Sequence, residues 1–282
     1  MAVFNVKKMA LALAALGALL FQVTPVARAY VLPGPHILEL MTGNLDRSKG
    51  VRIDQSVIFY EQGPGNSTIT ASETLYYNFH GDFRSDIIGS DTPRIHVVDG
   101  DDVMTMVNGR VVDDPEDLFE QYKDIFLYKA RILVQDKLAT LGVDVHVSSL
   151  GRFQDKIFFI IGARYPDESI SQVWIDRENF RPVRWLIFDR DPLNPENFLD
   201  VHYEQWQKSG GLWYPRQIRF FREDILLRKI RVDRIRVLDG LPASLFNIRQ
   251  LKKSLLDNHT RKSGMDDTQD ADGLQQTAKT VN

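Results

Sequence analysis

From Gln172 to Ile248 the chain is a succession of strand candidates that is too apolar for a sheet with only one covered face. It contains Val173-Trp174-Ile175, Val183-Arg184-Trp185-Leu186-Ile187-Phe188, Trp213-Tyr214, Ile218, Phe220-Phe221, Ile225-Leu226-Leu227, Ile230 and Val232. All four tryptophans fall between 174 and 213. Successive side chains of a strand point to opposite faces, so a sheet packed on one side alternates apolar with polar residues. Here both parities are apolar. Such a sheet has to be covered on more than one side, and a lipid or a partner is a candidate cover beside the chain's own helices.

The hairpin at 172–188 makes this concrete. With a turn at Arg177 to Arg181, Val173 opposes Trp185 and Ile175 opposes Val183 on one face. Trp174 opposes Arg184 on the other, beside Leu186 and Phe188, a pairing of the kind that stacks as cation–π. Further on, Ile230 and Val232 share a parity that Ile235 and Val237 do not. A one-residue bulge near Asp233-Arg234 would return them to one side and coil the sheet toward a barrel.

Upstream, Pro35 to Leu45 has a helical spacing of apolar residues, and strand candidates follow from Val57, over Thr68–Phe79 and near Phe83–Ile88, Arg94–Val98 and Val103–Val107. Turn residues such as Asp99-Gly100 and Asn108-Gly109 separate them, which predicts an antiparallel meander. One strong helical signal interrupts it. Asp114 suits an N-cap, Pro115 the first helical position and Gly142 the C-cap. Between them Leu118, Phe119, Tyr122, Ile125, Phe126, Leu133, Val134, Leu138 and Leu141 recur at threes and fours, as one helix or as two joined near Tyr128–Arg131. Strands are expected again at Val143–Val147, Ile157–Ile161, Gln172–Asp176, Pro182–Phe188, Phe198–Gln207, Leu212–Arg222 and Ile225–Leu238, with a helical Ser244–Leu256 to close.

The ends read differently. Lys7 and Lys8, the apolar run Met9 to Val23 and Ala27-Arg28-Ala29 form a cleavable signal peptide over 1–29, with an uncleaved anchor as the alternative. Residues 258–282 have no aromatic side chain, and Asp266, Asp267, Asp270 and Asp272 lie among polar residues, the composition of a disordered acidic tail. The expected organisation is one domain over 30–257 between these ends. Removing the signal leaves 32 basic residues of the original 35 against 38 acidic ones, a net −6 with no electrostatic footprint for nucleic acid. The absence of cysteine rules out disulfides, thiol catalysis and a lipid-modified cysteine anchor.

No G-x-S-x-G, H-E-x-x-H, P-loop or G-x-G-x-x-G pattern is present, and the six histidines are dispersed in sequence. The chain therefore reads as non-enzymatic, with no cofactor and no metal. Between Arg216 and Arg236 eight basic residues face three acidic ones. That excess is either the solvated outer face of a hairpin or a docking strip for anionic headgroups or an acidic partner.

Val173-Trp174-Ile175-Asp176, a turn, Arg181-Pro182-Val183-Arg184, then Leu212-Trp213-Tyr214-Pro215-Arg216 and the closing Leu241-Pro242-Ala243-Ser244-Leu245-Phe246 resemble the outer-membrane lipoprotein-sorting proteins. That family includes LolA, LolB and the lipoprotein-like domain of RseB. The resemblance implies an α+β fold, an incomplete and strongly curved antiparallel β-barrel with helices covering the concave face. It further implies a soluble periplasmic carrier or chaperone, expected as a monomer, that shields a lipid or lipoprotein acyl chain and meets an inner-membrane transporter or an outer-membrane receptor. Phe126, Leu133, Phe159, Trp174, Trp185, Leu186, Phe188 and Phe220 are the expected cavity lining. An envelope sensor or scaffold with no bound lipid is the alternative. The lack of cysteine departs from a lipid-anchored receptor of the LolB kind, and the basic strip and acidic tail depart from the general carrier, so the cargo need not be a lipoprotein.

Overall fold

The computed structural model describes residues 31–44, 50–61, 67–79, 81–89, 92–100, 102–112, 118–189 and 198–254. The expected signal peptide and acidic tail lie outside them, as do Asp114 and Pro115. Contacts divide the chain after Val31, and every element below belongs to the unit that begins at Leu32.

Thirteen strands form one antiparallel sheet. They are β1 (Gly50–Tyr60), β2 (Thr68–Asn78), β3 (Asp82–Ile88), β4 (Arg94–Asp99), β5 (Asp102–Val107), β6 (Arg110–Val112), β7 (Ser148–Phe153), β8 (Lys156–Ile161), β9 (Gln172–Asp176), β10 (Pro182–Phe188), β11 (Phe198–Ser209), β12 (Leu212–Arg222) and β13 (Ile225–Leu238). Their order is β6-β5-β4-β3-β2-β1-β13-β12-β11-β10-β9-β8-β7. The first six strands step outward from β1 to one edge, and the last seven start at the opposite edge and step back to pair β13 with β1. The link from Val112 to Ser148 therefore joins the two edges of the sheet, and three helices lie in it. The sheet is strongly curved and not closed, the incomplete α+β barrel expected from the sequence.

Two-residue turns tie the meander together. Asn108-Gly109, Gln154-Asp155, Gly210-Gly211 and Glu223-Asp224 all have positive φ at both positions, the geometry that matches the twist of paired strands. The expected bulge is also present. Asp54 pairs with Arg234 and Gln55 with Val232, so Asp233 is the extra residue. Ile235 and Val237 thereby face the same side as Ile230 and Val232.

The helices that precede β1 or join β6 to β7 are α1 (Gly34–Asn44), α2 (Leu118–Gln121), α3 (Asp124–Leu127) and α4 (Arg131–Thr140). The helical signal of 118–142 is thus three short pieces, with a turn at Tyr122-Lys123 and extended backbone at Tyr128. The second break falls where the sequence allowed one. At the end of α4, Val143 N–H donates to Leu138 O and Gly142 N–H to Ala139 O, a Schellman pair with buried Val143 and Leu138. The strand expected at Val143–Val147 is replaced by turns. Its alternating valines are anchors, with Val143 and Val145 buried after the cap. Gly34 of α1 sits against this segment so closely that a Cβ would lie 2.2 Å from Val145 O.

The hairpin register is as expected at its open end, with Val173 opposite Trp185 and Trp174 opposite Arg184. Nearer the turn it differs, because Ile175 pairs with Pro182 and Val183 is bulged out. Proline cannot donate to the ladder, and the strand absorbs this by slipping one residue. The closing segment differs too, being a 3-10 turn at Ala243–Leu245 followed by helical residues 248–254.

Both faces are covered, and on the outer face the chain covers itself. At the β3–β5 side, Val97 and Met104 pack with Phe246 and Ile248, flanked by Leu241, Leu245 and Leu251. At the other side, Phe158, Ile160, Ala163 and Trp174 form a second cluster with Phe153 and Val183. Trp174 lies over Gly151, where a Cβ would come within 2.8 Å of its ring.

Candidate ligand pocket and the polar core beneath it

The inner face is the one that carries the helical segment of 118–140, and its two halves differ. In the half formed by β8–β12, Phe159, Ile161, Val173, Ile175, Trp185, Ile187, Leu199 and Val201 share the inner parity and are buried. In the half formed by β1–β5, every strand points a buried polar residue inward: Gln55, Glu73, Ser85, His96 and Thr105, all 2% exposed or less. Gln55 faces Glu73, Ser85 faces His96, and His96 faces Thr105 across the ladder.

These polar groups are bonded to one another and to the crossing helices. Gln55 Nε2 donates to Glu73 Oε2 at 2.6 Å and to Tyr122 Oη at 3.2 Å. Ser85 Oγ donates to Glu73 Oε1 at 2.5 Å, and Lys123 Nζ is 3.5 Å from the same oxygen. Lys123 also bonds Glu120 and lies 4.6 Å above the Phe83 ring. Arg94 Nη1 donates to Glu120 Oε1 at 2.7 Å. Burial alone would raise the pKa of Glu120, but Lys123, Arg228 and Arg94 outweigh it and hold the carboxyl well below its usual range. Burial and the Lys123 charge push His96 down to about 4, so it is neutral at physiological pH. Its Nδ1 meets Thr105 Oγ1 at 2.9 Å.

A pocket of ≈ 580 Å³ opens where β1, β2, β3, β4 and β13 meet α2. Phe59, Ile69, Ile87, Phe119 and Leu227 supply apolar wall, while Arg94, Glu120 and Arg228 bring the polar core to its floor. Its volume is in the ~300–1,000 Å³ range of small-molecule sites. Arg228 is 3% exposed and its guanidinium lies 5.3 Å from the ring centroids of both Phe59 and Phe220. The basic strip is therefore not one surface. Arg228 turns inward, whereas Arg219 pairs with Glu204, Arg231 with Asp233 and Arg236 with Asp54.

The eight residues expected to line a cavity are not brought together. Phe126 and Phe220 lie on the inner face under the helices, Phe126 against Tyr203, Trp206 and Tyr214, and Phe220 against Phe119 and Tyr122. Phe159 and Trp185 are in the apolar half of the same face. Trp174, Leu186 and Phe188 have the opposite parity. Trp174 is in the outer cluster with Arg184 5.3 Å from its ring, and Phe188 stacks on Phe198 at 5.1 Å. Leu133, on α4, is 42% exposed. None of the eight lines the ≈ 580 Å³ pocket. The polar ladder, Lys123 and Arg228 were not anticipated. For Arg228 a signal existed: it shares the parity of the inward Ile230 and Val232.

Among the described residues no helix is long and apolar enough to cross a membrane, and no group of three His, Cys, Asp or Glu could hold a metal ion. No family model and no curated protein matches the chain. Solved structures do. A LolA superfamily protein from Nitrosomonas europaea superposes with a TM-score of 0.53 at 11% identity, over 77% of this chain and 98% of that one. A domain from Vibrio parahaemolyticus, described as a candidate outer membrane lipoprotein-sorting protein, gives 0.52 at 12% identity over 78% and 98%. A DUF1329 family protein from Desulfovibrio piger gives 0.51 at 16% identity over 78% and 99%. The chain shares the fold of the LolA superfamily along nearly the full length of those proteins.

Proposed function

We propose that this chain is a non-enzymatic periplasmic module that binds the acyl chain of a lipid or lipoprotein, and that it takes part in moving such cargo toward the outer membrane. The observation that carries this reading is the apolar-walled pocket at the open end of the curved sheet, between the inner face and α2. Shielding an acyl chain needs no chemistry. It needs apolar area, at about 0.8 kcal/mol per buried methylene, and a wall that can part to release it. The short pieces of 118–140 suit such a wall better than one continuous helix would. An inner-membrane transporter and an outer-membrane receptor are the partners such a carrier requires. The fold shared with a lipoprotein-sorting domain supports the reading without assigning the cargo.

A module that docks on an envelope protein is the second reading. Ile69, Ile88 and Ile225, at 41, 66 and 49% exposure, all lie at the sheet end that holds the pocket. Saturable binding of a neutral fluorescent acyl probe to the purified protein separates the two. Binding is expected in the wild type, and Ile69→Asp, a half-exposed position on the pocket wall, should weaken it at least tenfold. No probe binding, together with no lipid in an organic extract of the protein, would sink the carrier and leave docking.

A further inference from the structure

Arg228 is the one described feature of the pocket floor whose hydrogen-bonding capacity is unmet. Its Nε and Nη2 are buried and have no hydrogen-bond acceptor. Glu73 Oε2 is 3.7 Å from Nη2 and Glu120 Oε1 is 3.9 Å from Nη1, close enough to attract and too far to accept a hydrogen bond. Both carboxylates are engaged elsewhere, Glu73 by Ser85 and Gln55 and Glu120 by Arg94 and Lys123. Phe59, Phe220 and Phe119 fix the guanidinium from their ring faces, at 5.3, 5.3 and 6.0 Å.

Arg184 is a buried arginine of the same fold whose guanidinium is fully bonded. Its Nε, Nη1 and Nη2 are all bonded, to Asp200 and Glu168, at 2.8–3.0 Å. A buried donor left without an acceptor costs about 1–3 kcal/mol, more when charged, so an unsatisfied guanidinium at the base of an apolar pocket calls for an anion. Resting on the acyl-binding reading above, we infer that the pocket selects a long-chain carboxylate. The carboxylate sits at Arg228 and the chain runs along Phe59, Ile69, Ile87, Phe119 and Leu227 toward the mouth. Glu61 and Glu120, which also line the pocket, disfavour a doubly charged phosphate head there. A carboxylate brings a single charge, and a guanidinium fork matches its geometry.

The test compares lauric acid, its methyl ester and dodecyl phosphate as displacers of a neutral acyl probe at pH 8. The acid is expected to bind at least about tenfold more tightly than the ester, as a charge-assisted hydrogen bond implies. Arg228→Gln should reduce that ratio to near one. Should that variant fail to fold, the wild type alone decides, through the carbon-13 carboxyl resonance of bound labelled lauric acid. Its titration midpoint is expected below that of the free acid. Equal binding of acid and ester, a midpoint at or above the free value, or a preference that survives Arg228→Gln would overturn the inference while leaving acyl binding in place. Preference for the phosphate would overturn it in favour of a phospholipid head. Failure of all three ligands to displace a bound probe would overturn the inference alone, whereas failure of the probe to bind, with no lipid in an organic extract, would overturn both readings.

Discussion

The two halves of the inner face share one sheet and one curvature, and they are filled by opposite means. Under β8–β12 the interior is apolar side chains from Phe159 and Ile161 through Trp185 to Val201, and the Trp185 indole N–H is buried there without an acceptor. Under β1–β5 it is a chain of hydrogen bonds that begins at Gln55 and includes two carboxylates and three cations brought by the helices, β4 and β13. An apolar half is stabilising at any pH and indifferent to salt. A buried ionic half seldom adds stability over well-packed hydrocarbon, because desolvating the charges consumes the Coulombic gain. That the expensive half is the one adjoining the pocket is the instructive part. The buried network holds the broken helical segment through Tyr122, Lys123 and Glu120 to the sheet.

The largest expected effect tests the apolar half. Trp185 is fully buried, and Trp185→Ala removes the biggest inner-face side chain there. The expected loss is about 3–5 kcal/mol in urea unfolding, the same at pH 5.5 and pH 8, since no ionisable group changes its surroundings. A loss under about 1 kcal/mol would show that this side is an open cavity wall and not a closed core, and the contrast between the halves would fail.

The polar half should respond to acid. His96 is held at about 4 in the folded protein against 6.5 unfolded, so below pH 6.5 the unfolded chain binds the proton that the native state refuses. Stability therefore falls as pH drops from 6.5 to about 4, by about 3 kcal/mol across that window for this one group. The charges nearest in effect, Lys123 and Arg94, drive the shift the same way, and only Glu120 opposes it. In His96→Gln the slope of unfolding free energy between pH 6.5 and 5 should flatten. Glu120 and Asp200, two buried carboxylates with lowered values, lose their contribution only as pH falls on through the carboxylate range. An unchanged slope in the variant would mean that the imidazole protonates in place.

How far these halves could be read from residues alone follows from what each contains. Alternation is a local signal, so the strands, the Asp233 bulge and the Trp174–Arg184 pairing were legible, and a resemblance over Val173–Phe246 pointed to the barrel. The polar ladder was not, because it is a line across five strands that contributes one residue to each. Gln55 or Ser85 alone is an ordinary polar residue within an alternating strand. Trp174 misled for a related reason. A tryptophan of either parity looks like a ligand contact, and only the outer cover of Phe153, Phe158 and Ala163 shows where its bulk is spent. The pocket combines the ends of β1–β4 and β13 with α2, positions up to 169 residues apart from Phe59 to Arg228, and no short window holds them.

The basic strip of β12–β13 supplies the smallest effect and the sharpest control. Arg228 and Arg236 are eight residues apart on one strand, but the bulge at Asp233 lies between them and they end on opposite faces. Arg236 Nη2 reaches Asp54 Oδ2 at 3.3 Å with 43% of its side chain exposed, and Asp54 has Arg52 and Thr74 as further partners. Its charge is already solvated in the native state, so removing it leaves no buried group unpaired. Arg236→Ala should therefore change the unfolding free energy by no more than about 0.5 kcal/mol, with less effect still in 0.5 M salt. It should leave acyl-probe binding unchanged, where Arg228→Gln alters ligand preference. A loss of several kcal/mol on Arg236→Ala would mean that the outer face of β13 is covered in solution, and the strip would then have to be treated as an interface.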